Sequence, residues 1–158
     1  MSDPIDDLTH DHADINRRVL AVGSAIRALD REGGDGLARA LVKQVGELRE
    51  LVFRHFAREE EGLFPFVTEA FPDAGESSEL GQAVQAMAVA HDAICGALAR
   101  VYHLAEANAE IAAITLVFGR FETAYASHAE TEAQFLRKLA ASLAPGQRDQ
   151  LAALVHGL

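Results

Sequence analysis

Two stretches of the chain carry a histidine and a glutamate four residues apart, His55-Phe56-Ala57-Arg58-Glu59 and His128-Ala129-Glu130-Thr131-Glu132. On a helix this spacing stacks both side chains on one face, a turn apart, where imidazole and carboxylate can grip the same metal ion. A single histidine precedes each pair, His12 the first and His91 the second. The segments around them match as well, His12-Ala13-Asp14-Ile15 beside His91-Asp92-Ala93-Ile94, so the chain reads as two copies of one helical hairpin. A doubled arrangement suits a site for two metal ions.

Four helices must bring these residues together. The first starts at Asp3-Pro4, a cap followed by a proline that loses no bond at the first helical position, and runs to about Arg31. Its apolar positions are Ile5, Leu8, Ile15, Val19, Val22, Ile26 and Leu29, in steps of three and four with one gap, which His12 fills. Gly33-Gly34-Asp35-Gly36 makes a short turn, and the second helix follows on the seam Leu41, Val45, Leu48 and Val52. Continuing that seam lands on His55 and then Glu59. Pro65 is expected to break or kink the helix, with Phe71-Pro72-Asp73-Ala74-Gly75 as the loop beyond it.

Ser77-Ser78-Glu79 caps the third helix, whose seam of Leu80, Val84, Met87, Ile94, Leu98, Val101 and Ala105 lacks one position, filled by His91. A tight link at Asn108 leads to the fourth, where Ile111, Ile114, Phe118, Phe121, Tyr125, His128, Glu132, Phe135 and Leu139 keep an unbroken order. Pro145-Gly146 ends it, and the last dozen residues form a short amphipathic helix. The expected fold is all-α, an up-down-up-down four-helix bundle over about residues 4–143 with a C-terminal extension at 144–158. His12 is early in its helix and His55 late, while His91 and His128 lie at similar distances from the end their helices share. With alternating directions, all four reach one level.

The 158 residues suffice for one domain with a real core. The net charge is 14 − 24 = −10 without a basic cluster, which sets the chain against nucleic acid. No apolar run suits a membrane span or a signal peptide, and the one cysteine, Cys95, forms no intrachain disulfide, so the expected compartment is the cytoplasm.

Buried polar groups left unpaired cost about 1–3 kcal/mol each, against a net stability of roughly 5–15 kcal/mol. Six such residues on four seams must therefore share a metal or satisfy one another as a buried hydrogen-bond network. His10, His103 and His156 show no such placement and act as an internal control.

On these residues the chain resembles the hemerythrin-like family, the HHE cation-binding domain, over about residues 5 to 140. The resemblance implies a non-haem di-iron centre, with His12, His55, His91 and His128 as terminal ligands and Glu59 and Glu132 as bridges. Imidazole and carboxylate would equally suit manganese or zinc. Oxygen-carrying hemerythrins have a second histidine where this chain has Cys95, and an aspartate where it has Ala133. Counting donors against two six-coordinate ions leaves roughly two positions open. Tyr125, Glu60 and His10 are candidates for a further ligand, although His10, about 200° round the helix from His12, reads as solvated. Cys95 reads as a small buried hydrophobe. The expected activity is binding of dioxygen or a related small molecule such as nitric oxide, for storage or sensing. The alternative is a di-iron enzyme that consumes peroxide or oxidises iron.

Overall fold

The structure, a computed structural model, describes residues 2–72 and 78–158. The expected loop residues Asp73, Ala74 and Gly75, and Ser77 of the expected cap, lie outside them. The described residues form helices and no strand: α1 (Pro4–Glu32), α2 (Asp35–Ala57), a π turn (Arg58–Leu63), α3 (Phe64–Ala70), α4 (Glu79–Glu106), α5 (Ile111–Ser142) and α6 (Pro145–His156). Helix α1 packs on α2 and α5, and α4 on the same two, which closes the up-down-up-down four-helix bundle.

Local chemistry sets the ends. Asp3 accepts a hydrogen bond from the Ile5 N–H at 2.9 Å and starts α1; Ser78 does the same for the Gly81 N–H at 2.9 Å and starts α4. The first turn is tighter than expected: Gly33 and Gly34, at φ 65° and 103°, make the whole link, and Asp35 and Gly36 already belong to α2. Asn108, at φ 50°, turns the chain between α4 and α5.

Of the break or kink expected at Pro65, the structure shows no break. The helix continues past it to Ala70, and the disturbance lies upstream in the π turn, where the Phe64 N–H reaches the Glu59 carbonyl five residues back. Proline has no N–H, and its ring crowds the carbonyl four residues before it; a widened turn relieves both without ending the helix.

The apolar seams divide into two clusters. The upper one holds Ile15, Val52, Ile94 and Tyr125, the lower one Leu8, Leu63, Met87 and Phe135. Between each of these pairs on its own helix stands a polar seam residue: His12, His55 with Glu59, His91, and His128 with Glu132. The polar residues thus form a single layer between two dry ones. Helix α6 adds Leu151 and Val155 to the lower cluster and packs on the π turn, where Leu154 and Val155 approach Gly62 closely. It covers the bundle end beneath Glu59.

Candidate metal centre

All six seam residues come together. His55, Glu59, His91, His128 and Glu132 are at most 3% exposed; the His12 side chain is 16% exposed. One ligand atom each from His55, Glu59, His128 and Glu132 lies within 4.8 Å of all the others. The histidines form two edge-to-face pairs, His12 with His55 and His91 with His128, each with centroids 4.7 Å apart. The glutamates stand between the pairs. Glu132 Oε2 is 2.6 Å from His12 Nε2, 3.3 Å from His55 Nε2 and 3.4 Å from His128 Nε2. Glu59 Oε2 is 3.0 Å from His91 Nε2, 3.5 Å from His55 Nε2 and 3.8 Å from His128 Nε2. Each carboxylate therefore reaches histidines of both pairs.

These approaches mostly fail as hydrogen bonds. Among the described residues, His12 Nε2, His91 Nε2, both nitrogens of His128, both oxygens of Glu59 and Oε1 of Glu132 are buried without a hydrogen-bond partner. The nearest of them still approach as ion pairs, His12 Nε2 to Glu132 Oε2 at 2.6 Å and His91 Nε2 to Glu59 Oε2 at 3.0 Å, without hydrogen-bond geometry. Donors held about 2.1 Å from a cation and at right angles are roughly 3 Å apart, the separation found here, so a cation can share the lone pairs that the protein leaves unmatched.

An outer set of partners aims three of the four imidazoles. His55 Nδ1 pairs with Asp11 Oδ2 at 3.3 Å, and Asp11 takes both of its oxygens to Arg58 Nη1, at 2.8 and 3.0 Å. His91 Nδ1 pairs with Glu60 Oε1 at 2.7 Å, and His12 Nδ1 with the Tyr125 hydroxyl at 3.5 Å. Such partners fix the ring tautomer, leave Nε2 free for a metal and raise the basicity of the ring. Burial works against a charged His55, but hydrogen bonds to Asp11 and Glu132 and the charge of Glu59 outweigh it, so its pKa in the metal-free site rises from 6.5 to about 10. His91 is raised too, against burial, by Glu59 and Glu60. The Glu132 carboxyl is held well below its usual range: burial opposes this, and His12, His128 and His55 overcome it.

The candidates for a further ligand separate. Tyr125 is buried in the seam beside His12, with its phenol kept neutral by burial and by the charges of Glu132, Glu59 and Asp11. Glu60 backs His91. His10 is exposed and turned away, with Nδ1 2.7 Å from its own helix's Asp6 carbonyl. Cys95 is half-buried against the upper cluster, and burial, followed by Glu60 and Asp92, pushes its thiol up to about 11, in keeping with a packed hydrophobe.

Sequence reasoning missed Asp11, Arg58 and the aromatic wall. Phe56 stacks on His91 at 3.7 Å and meets His128 edge-on at 5.2 Å, while Phe64 also stacks on His91, at 5.6 Å. The available signal was that Phe56 and Arg58 each lie within one turn of His55 and Glu59.

Fold and site together define an all-helical bundle with a buried histidine and glutamate cluster fitted to a metal cation. The chain belongs to the hemerythrin HHE cation-binding domain family, whose model matches residues 3–154. No protein of curated function and no solved structure matches it. Among the described residues no helix is long and apolar enough to cross a membrane.

Proposed function

We propose that the protein holds two iron ions in this layer and uses them to bind dioxygen or a related small molecule, such as nitric oxide, for storage or sensing. His12 and His55 would serve one ion, His91 and His128 the other, and Glu59 and Glu132 would bridge them. The observation that carries this reading is the convergence of four imidazoles on two carboxylates in a layer where all of the six but His12 are buried. Iron rather than manganese or zinc rests on the family, since the donors suit all three.

When bound and reduced, the iron pair supplies electrons and an open position for a diatomic ligand. The chain's own residues do the rest. Phe56 and Phe64 keep water from the His91 side. Asp11, Glu60 and Tyr125 hold three rings in place. Two carboxylates bring about two negative charges, fewer than a carboxylate-rich oxidase site, so high oxidation states gain less support and binding is favoured over oxygen cleavage.

The test is to load the protein with ferrous iron without oxygen, admit a stoichiometric amount and follow the spectrum. A spectral change that reverses under vacuum is expected. Immediate oxidation with sustained peroxide turnover would overturn the binder in favour of the enzyme.

A further inference from the structure

Helix α6 packs chiefly on the π turn and on the start of α1. The π turn delivers Glu59 to the centre, Glu60 to His91 and Arg58 to Asp11. Leu154 and Val155 lie directly on that turn: a β-carbon at Gly62 would stand 3.5 Å from the Leu154 carbonyl and 3.6 Å from Val155. Two ion pairs tie α6 to α1. Arg148 pairs with Asp3, whose other oxygen caps α1, and His156 pairs with Asp7, one turn before Asp11.

The turn beneath α6 needs that support. π turns are rare, and Pro65 behind this one offers no N–H to strengthen it. Both oxygens of Glu59 are buried without a hydrogen-bond partner, a cost that favours swinging the turn outward. Packing works the other way, with Leu63 of the turn buried against Leu151 and Val155 in the lower cluster. A cation held by Glu59 removes the cost. Docking of α6 and occupancy of the centre therefore stabilise the same conformation of one turn.

We propose that α6 is a strap coupled to the metal centre through the π turn: an occupied centre holds it down, and an empty one releases it more often. The proposal rests on the reading of the polar layer as a metal centre, and it gives the sensing role an output. Release bares Leu151, Ala152 and Val155, all at most 3% exposed when docked. Coupling of this kind is reciprocal, so loosening the strap must weaken metal binding by the same factor that metal tightens the strap.

Both directions are measurable, with zinc as a redox-silent probe. Hydrogen exchange at the amides of residues 151–155 should slow roughly fivefold or more when metal-free wild type is loaded. Leu151→Ala, and separately the surface double variant Arg148→Ala with His156→Ala, should weaken zinc affinity by roughly fivefold or more in competition with a chromophoric chelator. The double variant leaves the core intact, so the test survives if Leu151→Ala folds poorly. Leu41→Ala removes a buried side chain from the upper cluster and should stay within about twofold of wild type. Unchanged exchange on loading would overturn the strap, as would wild-type affinity in both α6 variants or an equal loss in Leu41→Ala. A wild type that binds no metal would overturn the metal reading and the strap together, whereas bound metal with unchanged exchange in α6 would overturn the strap alone.

Discussion

At the scale of single residues, the inner six and their outer partners should fail differently. Glu59 and Glu132 each reach both histidine pairs, so Glu59→Ala or Glu132→Ala should abolish metal uptake or reduce it to one ion. His103→Ala, at an exposed position near the end of α4, should leave it unchanged. Elemental analysis of the variants decides this, and full metal content in both glutamate variants would contradict the bridging assignment. Asp11 and Glu60 meet the rings of His55 and His91 at the far nitrogens, Nδ1. Asp11→Ala and Glu60→Ala should therefore keep metal stoichiometry and weaken affinity roughly 10–100-fold, as read by competition with a chromophoric chelator. Affinities equal to wild type would show that these carboxylates pair with the rings without supporting them.

At the scale of elements, α6 and the π turn are coupled. Leu151 is fully buried in the lower cluster with Ile5 and Leu63. Leu151→Ala should cost about 2–5 kcal/mol in urea unfolding, as a large-to-small change in a packed core does. A cost below about 1 kcal/mol would mean that α6 is only loosely docked. The bundle and the six seam residues were legible in the sequence because a helix repeats every 3.6 residues: a polar side chain at a seam position must face the core, and short links put the seams at one level. The outer partners were not. Asp11 sits beside His12 in sequence but serves His55 on another helix, a pairing 44 residues apart that no local spacing encodes. Glu60 sits in the run Glu59-Glu60-Glu61, which reads as a solvated flank. Glu59, four residues after His55, points inward as the helical spacing predicts, while Glu60, next to it in the π turn at Arg58–Leu63, reaches Nδ1 of His91 on another helix. The proline that predicts a break does not reveal that the chain absorbs it as a wider turn.

At the scale of the whole molecule, the centre ties metal to stability and to pH. A site assembled only in the folded state returns its binding energy as folding energy, so chelation should lower the melting temperature; identical melting of stripped and loaded protein would contradict this. The raised pKa of metal-free His55, about 10 against 6.5, stabilises fully below pH 6.5 and is lost as pH climbs through about 10. Metal needs the neutral ring, so uptake at pH 7 should release a proton from His55, and affinity should rise as pH climbs toward about 10. Calorimetric titration in buffers of different ionisation enthalpy measures the release, and zero release at pH 7 would place the His55 ring neutral before metal arrives. The central claim is that the six seam residues form a two-ion site, and the metal content of the purified wild-type chain after anaerobic loading with ferrous iron and removal of excess tests it most directly. The account predicts about two ions per chain, from the two histidine pairs that share two carboxylates. A chain that retains one ion or none would contradict it.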